Sequence, residues 1–187
     1  MAATARREVV PSSVLGMLFF IGAEVMFFAG LISAFTIARA GAEASRWSPP
    51  TAPLLPAAST LANTAALMAS GTCVFLAHRR LRTQTAGAER LLLAGCVLGA
   101  LFVLLQGREW VALLGEGLTM RSGGLGAFFY LIVGAHGLHA VIAIVALAVA
   151  WWRLRIGTLT DGFLFGTETF WYFVVLLWPI IYARVYF

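Results

Sequence analysis

Residues 125–152 read LGAFFYLIVGAHGLHAVIAIVALAVAWW. The run contains no Asp, Glu, Lys or Arg. It exceeds the ~20 residues a helix needs to cross about 30 Å of hydrocarbon. It also carries His136 and His139, three positions apart, which share one face of a helix. Three readings of this pair stand open: a metal or haem site, a proton relay, or a polar cluster joining helices.

Composition extends the membrane reading to the whole chain. Of 187 residues, 61% are hydrophobic and 11% charged, and the mean hydropathy is +0.91. Soluble domains carry about 25% charged residues. A surface this apolar cannot face water, so the chain is an integral membrane protein. All 13 basic residues are arginine, and the pI is near 10.0. They sit in short connections between apolar runs, a topology signal and not a phosphate-binding face, so nucleic acid is excluded as a partner. Cys73 and Cys96 lie within apolar runs without a CxxC, as small buried hydrophobes do.

Four further runs of bilayer length accompany the first. The expected fold is all-α, a single membrane domain over 1–187 with helices near 14–38, 55–77, 91–114, 125–152 and 162–186. No internal repeat or low-complexity tract interrupts them. The longest connection, RAGAEASRWSPPTAP, holds three of the six prolines, as suits a chain leaving one helix and entering the next. Ala38-Arg39-Ala40 imitates a signal-peptidase site, but the preceding run is too long and holds Glu24, so it is expected to be retained. Eight arginines (6, 7, 79, 80, 82, 90, 153, 155) fall on one side of a five-span arrangement and five (39, 46, 108, 121, 184) on the other. That places the N-terminus in the cytoplasm and the C-terminus outside. Trp110, Trp151, Trp152, Tyr182 and Tyr186 fall near helix ends, where aromatic belts form.

Polar residues inside the runs are the functional candidates. Glu24 lies about ten residues into the first helix, roughly 15 Å deep. An ionised carboxylate there costs roughly 2.5–3.5 kcal/mol. It must be protonated, or face inward and be hydrogen-bonded. His136 and His139 sit at similar depth, and Asn63 and Ser70 are expected to hydrogen-bond between helices. Gln106, Arg108 and Glu109 lie towards the outer end of the third helix, and Glu168 near the inner start of the fifth. ALMASGT and LAGCVLGA supply small residues for close helix approach, as do Gly134 and Gly137. Two histidines with Glu24 or Glu109, and no thiolate pair, make a thin metal-ligand set.

In order along the chain stand GAEVMFFAGLISAF (22–35), WSPP (47–50), NTAALMASGT (63–72), AHRR (77–80), LLQGREW (104–110) and FFYLIVGAHGLHAVIA (128–143). Together they resemble subunit III of haem–copper terminal oxidases, the cytochrome c oxidase subunit III family in a short five-helix form. FWYFVVLLW (170–178) resembles the family's last-helix motif, Trp-His-Phe-Val-Asp followed by Trp. Tyr172 and Val175 stand at its histidine and aspartate, while Trp171, Phe173, Val174 and Trp178 are kept.

The resemblance implies an accessory subunit of a proton-pumping oxidase in aerobic respiration, without redox centres of its own. Haem and copper are then expected in subunit I, on which this chain packs, with subunit II nearby and a respiratory supercomplex possible. Bound phospholipid, proton uptake and sustained turnover belong to the same expectation, as does a bacterial plasma membrane. Long members have seven helices, and a cleft between the first two and the other five holds lipid. Here that cleft must be completed by another subunit or open to the bilayer. By position Glu24 matches the family's membrane-buried glutamate, and Glu109, His136 and His139 its remaining polar set, to which Asn63 is added as a neighbour. Arg79, Arg80 and Trp171 are the expected headgroup contacts. Two alternatives carry different partners: a subunit III-like accessory of nitric oxide reductase, or a small proton-linked transporter.

Overall fold

The computed structural model describes residues 12–48 and 53–187. Arg6 and Arg7, used above in the charge count, and both prolines of the 47–50 motif lie outside them. Among the described residues five helices are long and apolar enough to cross a membrane: α1 (Ser12–Gly41), α3 (Ala57–Arg82), α4 (Ala88–Gly115), α5 (Gly124–Arg155) and α6 (Asp161–Val185). A short α2 (Ala44–Trp47) was expected only as loop.

Most helices overrun their apolar segments. α3 continues through Ala-His-Arg-Arg-Leu-Arg and α5 through Arg153 and Arg155. Long arginine stems let the charge reach the headgroups while the backbone stays helical, and cations suit a helix C-terminus. Starts and stops follow local chemistry. Thr160 caps α6, its hydroxyl accepting from the Phe163 N–H at 3.4 Å. Gly87 precedes α4 at φ +95°, where a side chain would strain the backbone and collide with Arg80.

Helices α3, α4, α5 and α6 close a ring in which each packs on the next and α6 returns to α3. α1 lies outside it, against α5 and α6, and α2 touches α5. Trp171, Trp178, Phe102, Phe129, Leu67 and Leu147 fill the ring. The small residues of α3 and α4 stand where backbones or large rings come close. A Cβ on Gly99 would meet the Trp171 ring at 2.7 Å, and one on Gly71 would meet Val175 at 3.0 Å. The Ser70 hydroxyl donates to the Gly95 carbonyl at 2.6 Å, tying α3 to α4. By contrast α1 buries Phe28 and Phe35 but leaves Phe19, Met26 and Ile37 on its outer face.

Candidate functional site

The first polar contact lies near mid-membrane between α1 and α5. His139 Nε2 stands 2.9 Å from Glu24 Oε2, and its Nδ1 stands 2.7 Å from the Ala135 carbonyl oxygen. A backbone carbonyl can only accept, so Nδ1 carries a hydrogen. The Nε2–Oε2 bond then requires one proton on that axis, whether held by the carboxyl or by the ring. Either way the pair is neutral overall, which suits hydrocarbon. Both side chains are mostly buried, at 16% and 19% exposure. Phe28, Phe170 and Phe173 surround the imidazole, with ring centroids 5.4 to 6.4 Å away.

His136 occupies the same face one turn away, but does not join the pair. Its ring lies against the Trp178 indole, with centroids 5.1 Å apart and planes tilted by 30°. It is 1% exposed, and neither ring nitrogen has a hydrogen-bond partner. The ring borders an apolar cavity of about 280 Å³ between α4 and α5 that Trp110 also lines.

A second carboxylate–imidazole contact was not expected from the sequence. His78 of α3 stands with Nδ1 2.7 Å from Glu168 Oε2 of α6, near the arginine-rich end of α3 and the start of α6. The Glu168 side chain is 6% exposed and His78 31%, and the other carboxylate oxygen has no partner. Glu168 was noticed only as a helix-start acid, and His78 only as part of AHRR. The available signal was depth, since His78 lies one turn inside the arginine-rich end of α3 and Glu168 two turns inside the start of α6.

At the opposite end of the bundle Glu109 forms a third group. Its Oε2 accepts from the Thr60 hydroxyl at 2.8 Å and from the Gln106 amide at 3.0 Å. That amide also donates to the Tyr186 hydroxyl at 3.1 Å. Asn63 Nδ2 donates to the Phe102 carbonyl at 3.4 Å and to Gln106 Oε1 at 3.5 Å. Thr64, beside it on α3, accepts from the Trp178 N–H at 2.9 Å.

The polar set expected as one cluster is therefore three: Glu24 with His139, Glu109 with Asn63 through Gln106, and His136 alone. Arg79 and Arg80 are exposed at the end of α3. Trp171 departs from expectation. It is wholly buried against Gly99, about ten residues or ~15 Å along α6, too deep and too enclosed to reach a headgroup. Among the described residues, no three His, Cys, Asp or Glu side chains converge as a metal site.

These positions lie within one continuous family match. Residues 4–187 match cytochrome c oxidase subunit III. The chain belongs to that family. Cytochrome c oxidase subunit 3 of Pongo abelii is 36% identical over 183 residues, covering 91% of this chain and 67% of the relative. The human subunit 3 is 34% identical over 180 residues with the same coverage. A probable cytochrome c oxidase subunit 3 of Nocardia farcinica is 32% identical over 178 residues, covering 92% of this chain and 86% of the relative. The chain thus spans about two thirds of the primate subunits and most of the bacterial one. It is a multi-pass accessory subunit of a haem–copper oxidase and works in a complex with other oxidase subunits.

Proposed function

We propose that this chain is the subunit III that packs on subunit I of a proton-pumping oxidase and sustains its turnover. The observation that carries the reading is the Glu24–His139 contact. It places the acid matching the family's buried glutamate in a neutral, desolvated pair that fastens α1 to the ring. The redox chemistry, with haem and copper, belongs to subunit I, and subunit II completes the core. The membrane is the bacterial plasma membrane, with the arginine-rich helix ends on the cytoplasmic side. The same orientation sets His78 and Glu168 near the surface from which protons are taken up, and Arg79 and Arg80 among anionic headgroups. Phospholipid fills the open flank of α1, whose outer face is apolar, and assembly into a respiratory supercomplex would use surfaces away from it.

A mild-detergent pull-down of the tagged chain tests the reading, with subunit identification and a reduced-minus-oxidised haem spectrum of the eluate. A haem–copper subunit I in stoichiometric amount, its haem absent from the isolated chain, is the expected result. Elution of the chain alone, or with a nitric oxide reductase core, would overturn it.

A further inference from the structure

Two connections, after α3 and after α5, cross the same end of the bundle. They are built alike and charged differently. After α3 the Thr85 N–H donates to the Arg80 carbonyl and the Gln84 N–H to the Leu81 carbonyl. After α5 the Thr158 N–H donates to the Arg153 carbonyl and the Gly157 N–H to the Leu154 carbonyl. Both are Schellman turns, with Gln84 at φ +52° and Gly157 at φ +70° in the left-handed position. Side chains stiffen the first turn further. Arg80 Nη1 donates to the Ala86 carbonyl at 3.1 Å, and the Thr83 and Thr85 hydroxyl oxygens lie 2.8 Å apart.

The arginines of the second turn are satisfied within the molecule. Arg155 Nε stands 3.1 Å from Glu89 Oε1, and the Arg153 guanidinium lies 4.3 Å over the Phe163 ring. The first turn differs. Arg82 and Arg90 are exposed, and among the described residues neither has an acidic side chain within ion-pair distance. Glu89, next to Arg90, is already held by Arg155. Arg90 also stands in the first turn of α4, where the unsatisfied N–H groups disfavour a cation. Local folding therefore gives no reason for it, and Arg79 and Arg80 already supply the basic residues that set topology. Arg82 leans over the ring, since its charge acts on Glu168, buried between α3 and α6. Arg90 borders a hollow of about 480 Å³ with Arg80 and Gly87.

We propose that Arg82 and Arg90 form a docking point for an acidic extramembrane segment of a partner oxidase subunit, lying across this end of the ring with its carboxylates on the two guanidiniums. Carboxylates match the planar guanidinium fork and supply the negative charge that the first turn lacks. The stiff turn holds the arginine-bearing backbone in place before contact, so less freedom is lost on binding. The inference rests on assembly with other oxidase subunits and adds an extramembrane contact to it.

The chain contains no lysine, so one Arg→Lys change introduces its single side-chain amine. Arg82→Lys, Arg90→Lys and Arg155→Lys are each built into the intact complex and treated with a water-soluble carbodiimide, which joins an amine to a touching carboxylate as an amide. Arg155→Lys should link to Glu89 within the chain and serves as the standard. Arg82→Lys and Arg90→Lys should each link to an Asp or Glu of another oxidase subunit, read by mass spectrometry of the joined peptides. The double change Arg82→Gln with Arg90→Gln should weaken association with the solubilised oxidase core about fivefold at low salt, the effect of two exposed ion pairs. At about 1 M salt it should match the parent. Linkage in the standard without linkage to another subunit from either position would overturn the proposal, and leave both charges to solvent or headgroups. So would association indifferent to the double change at low salt. A parent chain recovered with no oxidase subunit would remove the assembly and the docking point together.

Discussion

Glu24–His139 and His78–Glu168 are the same chemical pair in two settings. In the first, both imidazole nitrogens are engaged: one hydrogen is fixed on the Ala135 carbonyl and one proton lies between ring and carboxyl. In the second, a single ring nitrogen meets the carboxylate, the ring is partly exposed, and Glu168 Oε1 has no partner. The mid-membrane pair is closed on the imidazole side, where both ring nitrogens are engaged, and Glu24 holds it through Oε2. The pair near the arginine-rich end is open, with a ring edge reaching the surface and an oxygen still to be satisfied. What separates them is how many other groups the surrounding helix supplies, so the closed pair fits a fastening and the open pair fits exchange with its surroundings.

Breaking the open pair should have the largest effect. His78→Leu leaves the Glu168 carboxyl buried with neither oxygen paired. The cost should be about 3 kcal/mol, at the low end for one partner removed from a buried pair because His78 is partly exposed. A fall of order 10 °C in the thermal midpoint follows. His78→Leu with Glu168→Leu should recover most of it, since no polar group is then orphaned. A double variant as unstable as the single one would remove the pair from the stability of the ring.

The closed pair should cost less, because α1 leans on the ring from outside. Glu24→Leu should lose about 1–2 kcal/mol, at the upper end for hydrogen bonds between membrane helices. The loss should appear as faster hydrogen exchange in α1 and in the adjoining part of α5, and not in α3 or α4. Glu24→Gln is milder, as its amide still donates to Nε2. It should stay within ~0.6 kcal/mol of the parent, the average for such bonds. The oxidase should assemble with this variant and change its sustained turnover, measured as oxygen consumption over many cycles. Complete loss of the subunit from the complex would make the pair a fastening alone.

Much of this was legible in the residues, and the failures share a cause. Spans follow from apolar length, and the close approaches at Gly71, Ser70 and Gly99 follow from clustered small residues. Glu24 was singled out by depth, but its partner could be named only as one of two histidines on a shared face. Choosing His139 over His136 depends on the rotation of α5 against α1, which no local pattern encodes. His78 and Glu168 are 90 residues apart, and their meeting requires α6 to return beside α3. Trp171 was placed at headgroups by family likeness, although its depth along α6 argued for the core. Val175 now has a local reason, since it packs into the space that Gly71 leaves; an aspartate there would be buried against α3. Nothing in the structure explains Tyr172.

The smallest expected effect gives the sharpest comparison, because His136 and His139 share a helix, a face and an aromatic neighbour in Phe28. His139→Phe removes both ring contacts and strands Glu24. His136→Phe removes none, keeps a flat ring against Trp178, and replaces two unpartnered nitrogens with carbon. Replacing a buried unmatched polar group by an apolar one of like shape is neutral or favourable. His136→Phe should therefore shift stability by less than ~1 kcal/mol, towards the stabilising side, and leave turnover unchanged. His139→Phe should lose about as much as Glu24→Leu. Chemical unfolding of the two variants in parallel reads the difference. Greater damage from His136→Phe would mean that the cavity beside it holds a group bonded to that imidazole, and that the lone histidine, not the paired one, is the working member of the two.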